Sequence, residues 1–156
     1  MASPVAVYEI RRVFRVPADF AYSWCTDYTE SDRKLQREKG SRQILRKNAR
    51  GAVYEDLTPT PDGWMWSRQT VTFHPPDRWT ALADGNYRKW DLVYTVRPLS
   101  SGRTEFVMRG KRRATRLGVR NPPQAVLEKE LHTMWRNLGS AMERDYRKTG
   151  RRPSPE

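Results

Sequence analysis

Few side chains in this chain could do chemistry, and they are scattered. The two histidines, His74 and His132, lie far apart in sequence and share no metal-ligand spacing. His132 sits beside Leu131 and three residues before Trp135, so it borders an apolar helical stripe and is expected to flank the core. His74 precedes Pro75-Pro76 and is expected at the surface. The lone cysteine, Cys25, fits a small packed hydrophobe rather than a nucleophile, and a single cysteine excludes an internal disulfide. There is no glycine-rich phosphate loop, no HExxH and no serine nucleophile elbow. No catalytic residue, metal or cofactor is therefore assigned. Arg12 is the most suggestive single group. Strand parity places it with Ile10 and Phe14, hence facing inward, where a guanidinium needs an acidic partner or an anionic ligand group. Glu55 and Asp56 fall on opposite faces of their strand, so one of them faces inward and either could pair with Arg12. The alternative is a local bulge that turns Arg12 to solvent.

The net charge of +12 favours acidic partners. Basic residues cluster at Arg33, Lys34, Arg37, Lys39, Arg42, Arg46, Lys47 and Arg50, and again at Arg109, Lys111, Arg112, Arg113, Arg116 and Arg120. Such clusters suit an anionic membrane surface or RNA phosphates, and equally a solvated basic face with no dedicated partner. No stretch approaches the ~18 apolar residues of a membrane span. The first residues lack the charged start and apolar run of a secretory signal, which together with the single cysteine leads to a cytoplasmic expectation.

These groups must be held by elements that the patterning predicts. Val5 to Val16 is a strand ended by Pro17, and 17–28 a short helix with Ala21, Trp24, Cys25 and Tyr28 at helical spacing. A further helical turn is expected near Ser31 to Arg37. From Ser41 to about Arg113 the pattern is β: strands at 41–47, 52–58, 64–73, 79–83, 87–97 and 104–111, separated by turn residues such as Asn48-Ala49-Arg50-Gly51 and Pro59-Thr60-Pro61-Asp62-Gly63. Trp90, Leu92, Tyr94 and Val96 share one face of the clearest strand. The strand from Trp64 is ambiguous. One parity buries Met65, Ser67 and Gln69 and exposes Trp64 and Trp66; the other buries the tryptophans. Last comes a long helix, with Asn121 as N-cap, Pro122 at its first position and Gly150 as stop. Its stripe runs through Leu127, Leu131, Met134, Trp135, Leu138, Ala141, Met142 and Tyr146 over about 26 residues, roughly 39 Å. The expected fold is one α+β domain over residues 1–150, a curved antiparallel sheet of about six to seven strands around that helix. Residues 151–156 are expected to be a disordered tail.

This element order resembles the START-like (SRPBCC) superfamily, the helix-grip proteins that include the polyketide cyclase and lipid-transport group. Several stretches are similar to the family's pattern: Val16-Pro17 followed by Ala21-Tyr22, Cys25 and Asp27; Val71-Thr72-Phe73-His74-Pro75-Pro76-Asp77-Arg78-Trp79 at a strand corner; and Trp90-Asp91-Leu92-Val93-Tyr94 with Ser101-Gly102-Arg103-Thr104-Glu105-Phe106. The likeness covers about residues 5–148. It implies a cavity between sheet and helix that holds an apolar ligand. It also implies either carriage of that ligand or, in some members, cyclase or aromatase chemistry; one branch is linked to ribosomes.

On that basis the cavity is expected to be lined by Arg12, Phe14, Trp24, Trp79, Trp90, Tyr94, Phe106, Met108, Leu131, Trp135 and Leu138. A basic rim of Lys111, Arg112, Arg113, Arg116 and Arg120 is expected near its mouth. The leading expectation is a binding protein, monomer or homodimer, for a hydrophobic small molecule or lipid, with an acidic headgroup favoured by the rim. The alternatives are a polyketide cyclase/aromatase-type enzyme and a basic RNA- or ribosome-associated factor.

Overall fold

A computed structural model describes residues 5–35, 39–115 and 121–149. Arg37, Arg116, Arg120, Gly150 and the 151–156 tail, all named above, lie outside the described residues. The elements run β1 (Val5–Phe14), α1 (Ala18–Thr26), α2 (Asp32–Leu35), β2 (Ser41–Asn48), β3 (Gly51–Thr60), β4 (Gly63–His74), β5 (Arg78–Gly85), β6 (Arg88–Pro98), β7 (Thr104–Ala114) and α3 (Gln124–Thr149). The strands form one seven-stranded sheet in the order β1-β7-β6-β5-β4-β3-β2, every pair antiparallel. Successive hairpins account for all neighbours except β1, which closes on β7. The α1–α2 segment carries the chain from one sheet edge to the other.

Alternation sets the inner face. Tyr8, Ile10 and Phe14 of β1, Leu92, Tyr94 and Val96 of β6, and Thr104, Phe106 and Met108 of β7 are buried. The helix α3 lays Leu127, Trp135, Leu138, Ala141 and Met142 on this face. Aromatic rings make the junction. Trp79 stacks on Tyr94 with centroids 4.9 Å apart, and Phe106 meets both Phe14 at 5.3 Å and Trp135 at 4.3 Å.

One ambiguity is resolved and one expectation changes. β4 takes the parity that buries Ser67, Gln69 and Val71; Trp64 is exposed, while Trp66 lies on the outer face with its Nε1–H donating to Glu55. The start of α3 also differs. Its first turn bonds back to the Pro123 carbonyl, and the Asn121 side-chain amide donates to the Arg112 carbonyl at 3.3 Å, tying the helix entry to β7.

Gly139 is a position where α3 packs directly on the sheet. A Cβ there would stand 2.6 Å from Cε1 of the fully buried Phe14 ring. Gly139→Val is therefore expected to destabilise the fold by about 1–3 kcal/mol through overpacking, beyond the gain from removing a helical glycine. Urea unfolding checks this, and an unchanged midpoint would show that the helix can lift freely.

Candidate functional site: a polar-walled cavity under the long helix

The sheet does not follow α3 along its whole length. Between the inner face, the α1–α2 segment and α3 lies a cavity of about 470 Å³, within the ~300–1,000 Å³ range of small-molecule sites. Its wall includes the exposed residues Asp27, Ser31 and Glu130, so it reaches solvent.

The sequence-derived candidates divide into three groups. Trp24, Trp90, Tyr94, Met108, Leu131, Trp135 and Leu138 line the cavity. Phe14, Trp79 and Phe106 are at most 1 % exposed and stand in the packed core behind the wall. Arg12 shares the inner face with Ile10 and Phe14 but is half-buried and away from the cavity wall. Of the rim residues, Arg112 lines the cavity, whereas Lys111 and Arg113 are exposed on the opposite parity of β7. His132 and His74 are both half-buried and off the wall. Among the described residues, no three His, Cys, Asp or Glu side chains are grouped to hold a metal ion, and no helix is long and apolar enough to cross a membrane.

The wall is more polar than its aromatic content suggests. On the β2–β4 half, Asp56 faces inward and pairs not with Arg12 but with two other arginines. Arg42 donates to it bidentately, Nε to Oδ1 at 2.8 Å and Nη2 to Oδ2 at 3.0 Å, and Arg33 Nη1 donates to Oδ2 at 3.3 Å. Arg33 also donates to the Lys39 carbonyl and to Thr58 Oγ1, each at 2.6 Å, and Arg42 reaches Asp32 at 3.3 Å. The Arg42 guanidinium lies over the Tyr54 ring at 4.1 Å. Tyr54 in turn donates to Gln69 Oε1 at 2.5 Å and stacks on Tyr28 at 5.3 Å. Every charge in this half has a counter-charge.

Burial pushes the Tyr28, Tyr54 and Tyr94 hydroxyls and the Cys25 thiol well above their ordinary ranges. All four groups therefore face the cavity neutral, and Cys25 is held as an unreactive thiol. Trp24 Nε1 donates to Asp145 of α3 at 2.9 Å and braces α1 against the helix.

On the β6–β7–β1 half, Arg88, Trp90, Arg112 and Tyr8 line the wall opposite Leu127 and Glu130 of α3. Arg112 sits 5.9 Å over the Trp90 ring, and its charge opposes the effect of burial, which raises the Tyr8 hydroxyl above its ordinary range. Tyr8 is placed by a missing side chain. It pairs directly with Gly110 of β7, and a Cβ on Gly110 would come within 2.4 Å of the Tyr8 ring. Burial, and then the Arg112 charge, push the Arg88 guanidinium below its ordinary range, opposed by Glu130.

Strand parity carries the signal for several wall residues that are absent from the expected cavity lining. Arg42 alternates with Ile44, Asp56 with Tyr54, Gln69 with Val71 and Arg88 with Trp90. Arg42 also belongs to the basic run from Arg33 to Arg50, whereas Arg88 stands in no such run.

No protein-family model matches the sequence, and no curated protein sequence matches it. Solved structures do match its fold. The Zhui aromatase/cyclase from Streptomyces sp. R1128 superposes with a TM-score of 0.77 at 13% identity, over 94% of this chain and 98% of that one. A START superfamily protein from Mycobacterium smegmatis matches with a TM-score of 0.66 at 15% identity, over 91% and 97% of the two chains. The Ara h 8.0201 structure matches with a TM-score of 0.67 at 10% identity, over 88% and 97%. The chain thus has the helix-grip fold of START-like proteins, as its element order implies.

Proposed function

We propose that the protein binds a small organic molecule with an apolar, ring-sized body in the cavity between the sheet and α3. The observation that carries this reading is the cavity itself: about 470 Å³ left open beside Tyr94 and Trp135, in a core that is otherwise filled by interlocking rings. Native mass spectrometry of the purified protein tests it, with a co-purifying compound released by organic extraction as the expected result. Leu131 of α3 lines the cavity, so Leu131→Trp fills part of the space while leaving the charged groups in the sequence. This variant is expected to keep its circular dichroism spectrum and to lose binding of apolar fluorophores by about tenfold or more, about 1.4 kcal/mol. Unchanged binding in a folded Leu131→Trp protein would place the ligand elsewhere.

The polar wall favours a second reading, an enzyme of the cyclase or aromatase type. An apolar wall would have argued against it. Here the neutral hydroxyls of Tyr28 and Tyr94 are available to donate to a carbonyl oxygen, and the Arg42–Asp56 pair supplies fixed charge beside them. Tyr94→Phe separates the two readings. Loss of turnover of an aromatic-forming ketide substrate with binding retained supports chemistry; retained turnover, or none in the parent protein, leaves the binding function.

A further inference from the structure

The two halves of the cavity wall treat their arginines differently. Arg33 and Arg42 are matched by Asp56 and Asp32. Among the described residues, Arg88 and Arg112 have no carboxylate within ion-pair distance, and it is this lack of counter-charge, not the buried Nε–H that each also carries, that separates them from Arg33 and Arg42. The β6–β7 register sets Arg112 opposite Trp90 and Arg88 opposite Ala114, so both guanidinium groups leave neighbouring strands on the same face, one alternation apart. Both line the cavity. The nearest compensating charge is Glu130, on an exposed position of α3.

A buried donor without an acceptor carries a desolvation cost, larger when the group is charged. Two like charges side by side add repulsion. An isolated surface arginine would avoid both costs by turning to water. Arg112 is instead fixed, with its guanidinium over Trp90 and against the Tyr8 hydroxyl, whose ring Gly110 seats. Forked, planar donors of this kind match the two oxygens of a carboxylate.

We infer that Arg88 and Arg112 form a carboxylate clamp, and that the natural ligand is an apolar or aromatic acid whose carboxylate lies between the two guanidinium groups and whose body extends toward Tyr94 and Trp135. The clamp rests on the cavity being a ligand site, and it names the ligand's class and orientation there. The acid supplies the counter-charge that both guanidinium groups lack among the described residues. Among the described residues, every cation of the opposite half has a counter-charge, which favours this orientation.

The test uses a matched pair of fluorescent probes, anthracene-2-carboxylate and its methyl ester, titrated into the full-length protein at neutral pH and physiological salt. The unmodified protein is expected to bind the acid about tenfold more tightly than the ester or better, the scale of one charge-assisted contact. Arg88→Met and Arg112→Met should each weaken the acid by about tenfold and leave the ester within about twofold. Arg109→Gln, an exposed position on the outer face, should change neither. The comparison in the unmodified protein needs no variant to fold. Binding of the ester as tightly as the acid overturns the clamp while the cavity keeps its function. An acid preference that survives in both Met variants also overturns the clamp and assigns the preference to other charges. If neither probe binds, the clamp and the ligand-binding reading fall together.

Discussion

Replacing Asp56 by alanine is expected to lower folding stability by about 3–5 kcal/mol, the scale of breaking a buried ion pair from one side. Asp56 is the shared acceptor of Arg42 and Arg33, whose side chains are 3% and 9% exposed. Without it, two guanidinium groups remain in the interior. Arg42 keeps only the longer contact to Asp32 at 3.3 Å, and Arg33 loses its contact to Asp56. Native domains have only about 5–15 kcal/mol in hand, so the loss brings this one close to unfolding. Asp56→Asn retains shape and one acceptor and should cost less. Arg42→Met combined with Asp56→Ala should cost less than the sum of the single changes, because it removes the orphaned charge together with its partner. Urea denaturation of the four proteins checks the series. A loss below about 1 kcal/mol for Asp56→Ala, the range of exposed pairs, would mean that water enters and solvates the arginines.

The same network lines the cavity, and that bears on why it persists. A buried charged cluster is commonly no more stable than apolar residues of equal volume. Here Arg33, Arg42, Asp56 and Thr58 form one wall of the space left for a ligand. The polar wall presents fixed dipoles to whatever occupies the cavity.

How far such a site can be foreseen depends on which interactions are local. The alternation of Trp90, Leu92, Tyr94 and Val96, and the three-and-four spacing from Leu127 to Tyr146, specify elements through short-range periodicity, and the structure has β6 and α3 there. The inward direction of the aromatic residues follows from the same parity. Whether an inward ring fills the core or faces open space does not. Phe106 and Met108 occupy equivalent positions on β7, yet only Met108 reaches the cavity, because α3 presses Trp135 onto Phe106 at 4.3 Å. The Arg42–Asp56 pair shows a different limit. Counting back from the Asn48↔Gly51 pair in regular register sets Arg42 opposite Leu57. A bulge between Ile44 and Arg46 shifts the ladder and brings Arg42 opposite Asp56. Nothing in the residue types between 44 and 46 announces that bulge. The inward acid was therefore matched with Arg12, which shares its face but lies on β1, at the opposite edge of the sheet.

Raising the pH above about 10 is expected to unfold the protein steeply, and the cavity tyrosines are the cause. Tyr54 and Tyr94 are 3% and 8% exposed, and burial holds both hydroxyls well above the ordinary value of 10.0. In the unfolded chain both release their protons near that ordinary value; in the folded protein they do not. Above it the unfolded state therefore binds fewer protons than the native one, and stability falls as pH rises. The contribution is fully present below the unfolded value. It declines above it by about 1.4 kcal/mol per pH unit for each tyrosine, nearly 3 for the two, so little more than two units can exhaust a domain of ordinary stability. Cys25, shifted in the same direction by burial, adds to the slope. The measurement is a tyrosinate absorbance titration read beside near-ultraviolet circular dichroism. The tyrosinate signal of Tyr54 and Tyr94 should appear together with the collapse of the dichroism, in one cooperative step. Tyr94→Phe should make that step shallower. Full ionisation with the dichroism intact would mean that hydroxide and water reach the inner wall freely, so that the hydroxyls facing the cavity are solvated in the resting protein. Neutral, desolvated hydroxyls are donors that a bound carbonyl or ether oxygen can accept from at any physiological pH, and the alkaline transition reads that state directly.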